Sequence, residues 1–191
     1  MTDDYASLIA ADTARIRRIL PGPIERVWAY LTEPGKRALW LAGGAMELHV
    51  GGKVDLLFRH AELSAAPGAA PARHAHMEGQ GHLNTGRVTA CEPPRLLAYT
   101  WAENHGDPSE VRFDLEPRDD KVLLTVTHRR LDGRDTLVSV AGGWHAHLDI
   151  LADRLHGRAP PNFWKSYERL AGEYGERFPA PASRVRISPD E

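Results

Sequence analysis

The stretch LVSVAGGWHAHLDILADRLHG, residues 137–157, decides how this chain folds. Leu137, Val140, Ala141, Trp144, Leu148, Leu151 and Leu155 recur at steps of 3, 1, 3, 4, 3 and 4. Those steps keep them on one side of a helix with 3.6 residues per turn. A long helix with an apolar stripe is predicted, and Gly157 is placed to end it. Gly142 and Gly143 cost about 1 kcal/mol each relative to Ala inside a helix. A close approach of a sheet to this face would offset that cost. A stripe this long needs a broad apolar surface to cover it.

The residues before it supply that surface. Leu83–Cys91, Arg95–Trp101, Glu110–Glu116 and Lys121–Arg130 read as strands, parted by Pro93-Pro94 and by RDD at 118–120. Upstream, Met46–Val50, the Gly51-Gly52 turn and Lys53–His60 predict a hairpin. Thr13–Leu20 is a further strand, although Arg18 spoils its alternation. Pro21 and Pro23 stop that strand, and Ile24, Val27, Trp28 and Leu31 then share one helical face. Ala38–Leu41 forms a second short apolar turn. Ala61–Arg73 (AELSAAPGAAPAR) has no periodicity and is expected as a long, mobile hairpin loop. Consecutive strands on short turns imply an antiparallel meander of about six to seven strands with one face to bury. The class is α+β, a sheet covered by the long helix.

After Pro160-Pro161, the residues Phe163, Trp164, Tyr167, Leu170 and Tyr174 predict a last amphipathic helix. Its stripe must pack on its own domain, near the outer side of the long helix or the adjacent sheet edge, or on a second subunit. The expected division is a flexible leader over 1–12, a single domain over 13–175 and a flexible tail over 176–191.

Composition narrows the function classes. The chain has 191 residues with 24 basic and 26 acidic side chains, a formal charge of −2. No clustered basic face of the kind a nucleic-acid binder needs is evident. No apolar run approaches the length of a membrane span, and the N-terminus does not read as a secretory signal. The lone Cys91 cannot form an internal disulfide. A cytoplasmic protein is expected, as a monomer or homodimer.

Four segments together carry a resemblance: RRILPGPIERVWAYLTEPGKRALWLAGG, ELHVGGKVDLLF, GRVTACEPPRLLAYTW and AGGWHAHLDILADRLHG. Over roughly residues 13–175 the chain resembles the START-like (SRPBCC) superfamily, in the branch related to the C-terminal domain of the activator of Hsp90 ATPase. The resemblance implies a helix-grip fold, a curved antiparallel sheet wrapped on a long C-terminal helix, with a cavity between them. Many relatives bind apolar small molecules there, and some catalyse reactions in it.

The residues expected on the cavity are His60, which continues the face of Val54, Leu56 and Phe58, and His128, which continues that of Val122, Leu124 and Val126. Tyr99 and Trp101 share a strand face, and Phe113 shares one with Val111 and Leu115. Trp144, His147 and Leu148 lie on or beside the helical stripe. A few polar groups in an apolar cavity would orient a ligand. His74-x-His76 with His82 has imidazoles but no Cys pair or HExxH, so no metal is expected, and no cofactor. No catalytic residue is assigned, because GxSxG and a phosphate loop are absent and Asp149 and Asp153 fall on the solvent side of the helix. The expected function is binding of a small apolar or aromatic ligand. The alternatives are an enzyme using His60, His128 or His147 in acid–base chemistry, and a chaperone-type interaction module suggested by fold analogy alone.

Overall fold

The computed structural model describes residues 5–65, 68–102 and 107–179. Seven strands form one antiparallel sheet: β1 (Ser7–Ala10), β2 (Thr13–Pro21), β3 (Lys53–Phe58), β4 (His82–Glu92), β5 (Leu96–Trp101), β6 (Ser109–Arg118) and β7 (Lys121–Arg129). Their spatial order is β1-β2-β7-β6-β5-β4-β3. Helices α1 (Ile24–Thr32) and α2 (Pro34–Arg37) carry the chain from β2 to the opposite edge at β3. The long helix α3 (Gly133–Leu155) lies on the curved sheet, and α4 (Phe163–Arg177) packs against α3. This is the helix-grip arrangement.

Alternation builds the core. Strand β7 buries Val122, Leu124, Val126 and His128 and leaves the residues between them partly exposed. Register places Val126 between Ile16 and Phe113, and His128 between Ala14 and Val111, with Tyr99 next in that row. Across these rows lie Leu137, Trp144, Leu148, Leu151 and Leu155 of α3, all buried. Burying such side chains contributes about 1.5–3 kcal/mol each. The helix ends where expected: His156 caps it, and Gly157 adopts φ +71°, which favours glycine.

Several expectations are corrected. Met46–Val50 is not a strand; its pairing with β3 is reduced to an isolated bridge from Met46 to Val54, with another from Gly43 to Leu57 just before it. Gly44 at φ +95° bends the backbone there, and Leu48 and Val50 stay exposed. Their even spacing mimics a strand face but has no apolar layer to meet. The leader expected over 1–12 contains β1, paired antiparallel on β2, and the Ala6 N–H donates to the Tyr174 hydroxyl at 2.6 Å. The tail expected from 176 begins inside α4, and Phe178 is buried; residues 180–191 lie outside the described residues. The loop expected over 61–73 is pinned. Leu63 sits in the core, its carbonyl accepts from Arg154 Nη2 at 3.0 Å, and Ala72–Met77 forms a 3-10 turn. Ala66 and Pro67 lie outside the described residues.

Two further corrections concern charge and close packing. Arg18 keeps the alternation of β2 by turning inward, where its Nη2 meets Asp149 Oδ1 at 3.0 Å. Asp149 is therefore an ion-pair partner for the sheet and not merely a solvent-face residue. Gly142 faces α4, not the sheet: a Cβ there would sit 3.3 Å from the Ala171 amide nitrogen. A Cβ on Gly143 would meet nothing within 4 Å.

Candidate functional site

One end of the sheet, α3 and α4 line a half-open cavity of about 200 Å³. Phe58 of β3, Asn84 of β4, Trp101 of β5 and His128 of β7 form its floor. Trp144, His147 and Gly143 of α3 form one wall, and Phe163, Trp164 and Tyr167 of α4 form another. The 3-10 turn at 72–77 closes a side with His74 and Met77. No Arg, Lys, Asp or Glu lines the cavity among the described residues.

Alternation on β7 points His128 inward, and hydrogen bonding fixes its tautomer. The Trp144 indole N–H donates to His128 Nδ1 at 3.0 Å. That nitrogen therefore carries the lone pair, and the proton sits on Nε2, 2.7 Å from Ser109 Oγ. Burial, then Arg130, pushes the His128 pKa down to about 3. His147 Nδ1 lies 2.7 Å from the Trp40 carbonyl and must donate to it, leaving Nε2 as the acceptor. Burial lowers its pKa to about 4, against the opposing pull of that carbonyl. His60 stands just past β3, opening a 3-10 turn, and stacks on Phe163 at 4.3 Å. Burial, then neighbouring His147, His82 and His74, push its pKa to about 2. At neutral pH all three imidazoles are uncharged. Among the described residues, two buried side-chain nitrogens, His60 Nδ1 and Trp164 Nε1, have no hydrogen-bond partner.

Of the eight residues singled out from sequence, His60, Trp101, His128, Trp144 and His147 line the cavity together. Tyr99, Phe113 and Leu148 do not; they are almost fully buried in the core beneath it. Strand parity put Tyr99 and Phe113 on the right face, but α3 covers that end of the sheet completely. Sequence reading missed the wall from α4, whose aromatic stripe served there only as a docking surface. It also read His74 and His82 as solvated loop residues. In the fold His74 stacks on Trp164 at 5.5 Å, and both histidines line the cavity. The signal available was proximity of a His pair to an aromatic helix, which sequence distance hides.

Comparison with known proteins places the architecture. The protein encoded by BPP1335 from Bordetella parapertussis, solved in solution, is 44% identical, with 93% of this chain and 92% of that one covered and a TM-score of 0.77. CalU16 from Micromonospora echinospora shares the fold at 23% identity, with 86% of each chain covered and a TM-score of 0.62. DynU16, a protein in the dynemicin biosynthetic locus, shares it at 19% identity and a TM-score of 0.62, covering 78% of this chain and 49% of that one. No curated protein matches the chain. The family model for activator of Hsp90 ATPase homolog 1-like proteins matches residues 21–156. With its START-like fold and that match, the chain belongs to the activator of Hsp90 ATPase homolog 1-like family.

Proposed function

We propose that this protein binds a small aromatic molecule in the cavity between sheet, α3 and α4. The observation that carries this reading is a half-open, ring-lined cavity with no Arg, Lys, Asp or Glu on its wall among the described residues. Its size selects the ligand. A cavity of about 150 Å³ holds benzene, and drug-sized ligands occupy about 300–1,000 Å³. About 200 Å³ suits one or two rings. Steroids and long fatty acids are too large for it. Apolar burial supplies the affinity, and the few polar groups orient the ligand.

Gly143 provides the test. Gly143→Leu projects an isobutyl group into the cavity from a position where even a Cβ touches nothing. Thermal-shift and native mass-spectrometry measurements should show that indole and naphthalene bind the wild type and stabilise it. A ligand at a hundredfold its Kd adds about 2.7 kcal/mol to stability. A steroid should not bind, and Gly143→Leu should abolish binding of the aromatic compounds. Failure of every one- and two-ring compound to bind, or equal binding to Gly143→Leu, overturns the reading.

Acid–base catalysis is less well supported. His60, His128 and His147 do converge on one cavity. Efficient proton transfer needs a pKa near the working pH, and burial holds all three far below neutrality. That state favours hydrogen bonding over proton exchange.

A further inference from the structure

Backbone groups fix the polarity of two side chains on the cavity. Parity on β4 turns Asn84 inward with Gly86 and Val88, and its Oδ1 accepts from the Ala102 N–H at 2.8 Å. A backbone N–H can only donate, so the oxygen faces Ala102 and the Nδ2 hydrogens are left over. His147 meets the opposite constraint: the Trp40 carbonyl can only accept, so Nδ1 carries the hydrogen and Nε2 the lone pair. Asn84 is 3% exposed and His147 5% exposed. Neither Asn84 Nδ2 nor His147 Nε2 has a hydrogen-bond partner among the described residues, and neither is sealed in as His60 Nδ1 and Trp164 Nε1 are. Phe58 links the two: it follows Leu56, the pairing partner of Asn84, on the same face of β3, and its ring lies 6.0 Å from that of His147. The cavity therefore offers an oriented donor from the sheet and an oriented acceptor from α3. Buried polar groups in folded proteins are nearly always paired, and these two have no pair within the chain.

We propose that the occupant is a neutral one- or two-ring molecule bearing a ring carbonyl and a ring N–H, a cyclic amide or its vinylogue, whose carbonyl accepts from Asn84 Nδ2 and whose N–H donates to His147 Nε2. An amide combines a strong acceptor with a donor and carries no charge, the complement of what the protein presents. A bare hydrocarbon satisfies neither group. A pyridine-type nitrogen satisfies only Asn84, and a pyrrole-type N–H only His147. A carboxylate brings acceptors without a donor, and its charge meets no Arg or Lys among the described lining residues. An ammonium group likewise finds no Asp or Glu there. Phe58, with Trp101 at 5.7 Å, and Phe163, at 4.5 Å from His147, supply flat apolar surfaces for the rings.

This inference rests on the proposed binding of small aromatics and is tested separately from it. Isothermal titration of the wild-type protein with naphthalene, 2-naphthol, 2-quinolone, 4-quinolone and the two N-methylquinolones holds the two-ring frame constant and varies the polar groups. 2-Quinolone sets carbonyl and N–H side by side, and 4-quinolone sets them across the ring, so the two cover both spacings. The better of them should bind about tenfold more tightly than naphthalene. N-methylation removes the donor and should cost it about fivefold. His147→Asn keeps a donor for the Trp40 carbonyl but removes the acceptor, and Asn84→Leu removes the donor at similar volume. Each should reduce the advantage of that quinolone over naphthalene to threefold or less while naphthalene still binds. Naphthalene binding as tightly as both quinolones overturns the inference and leaves the aromatic cavity standing. No binding by any of the compounds overturns both. An N-methyl derivative as tight as its parent, or 2-naphthol as tight as the better quinolone, also overturns the inference, and neither result needs a variant to fold.

Discussion

Acidification is the most direct probe of how dry the cavity is. The folded-state pKa values of His60, His128 and His147 are depressed to about 2, 3 and 4, against about 6.5 in the unfolded chain. Below pH 6.5 the unfolded chain takes up protons that the folded one refuses. Stability is therefore full above about pH 6.5 and is lost as pH falls towards the folded values. One pH unit below 6.5 costs each such group about 1.4 kcal/mol, so three cost about 4 kcal/mol between pH 7.5 and 5.5. His74 acts in the same direction. His145, held down at about 4 by burial and then by Arg18, adds a share equal to that of His147. Against a total of about 5–15 kcal/mol for a typical domain, this is a large loss. Urea unfolding followed by circular dichroism at pH 7.5, 6.5 and 5.5 measures it directly. His60→Phe should cut the loss by about 1.4 kcal/mol, the share of one imidazole. An unfolding midpoint that does not move between pH 7.5 and 5.5 would mean that the imidazoles titrate as in water, and the argument for a dry, ring-lined cavity would fail.

Other perturbations probe the scaffold. Arg37 has no solvent exposure, and its guanidinium donates to the carbonyls of Thr32, Ala42 and Gly44. Arg37→Lys keeps the charge but cannot span all three, so it should cost at least about 2 kcal/mol in urea unfolding. Gly143→Ala should stabilise by up to about 1 kcal/mol. Gly142→Ala should lose most or all of that gain against the Ala171 backbone, and equal melting temperatures for the two would contradict the close contact of α3 with α4. Truncation after His156 removes the buried Phe163, Trp164, Tyr167, Leu170 and Tyr174. It should lower the melting temperature by well over 10 °C, or drive association visible by light scattering. An unchanged, monodisperse product would refute the docking of α4.

Much of the fold was legible because its strongest signals are periodic. The stripe from Leu137 to Leu155 and the alternation of Val122, Leu124, Val126 and His128 each specify an element and the face it buries. Met46–Val50 misled for the same reason: alternation without a layer to cover it does not make a strand. Arg18 looked like a flaw because charge marks a solvent side unless a partner is known, and Asp149 lies 131 residues away. Parity alone put His128 and Trp101 on the inward face, whereas His60 reaches the cavity from the 3-10 turn just past β3. The rest depends on where α4 lands. Nothing in the spacing of Phe163, Trp164 and Tyr167 reveals that the surface they meet is hollow.

The wall contributed by α4 lies outside residues 21–156, the part matched by the family model. A molecule held between the α3 and α4 walls would bridge the shared domain and a helix attached to it through the six residues Gly157–Asn162. Helix docking and ligand occupancy then become linked equilibria: whatever tightens one tightens the other by the same free energy. Protease cleavage in that connection should slow as ligand is added, while mutations that loosen α4 from α3 at the Gly142–Ala171 contact should weaken binding without touching the ligand. A helix that first serves stability would thereby act as the gate through which the occupant enters and leaves.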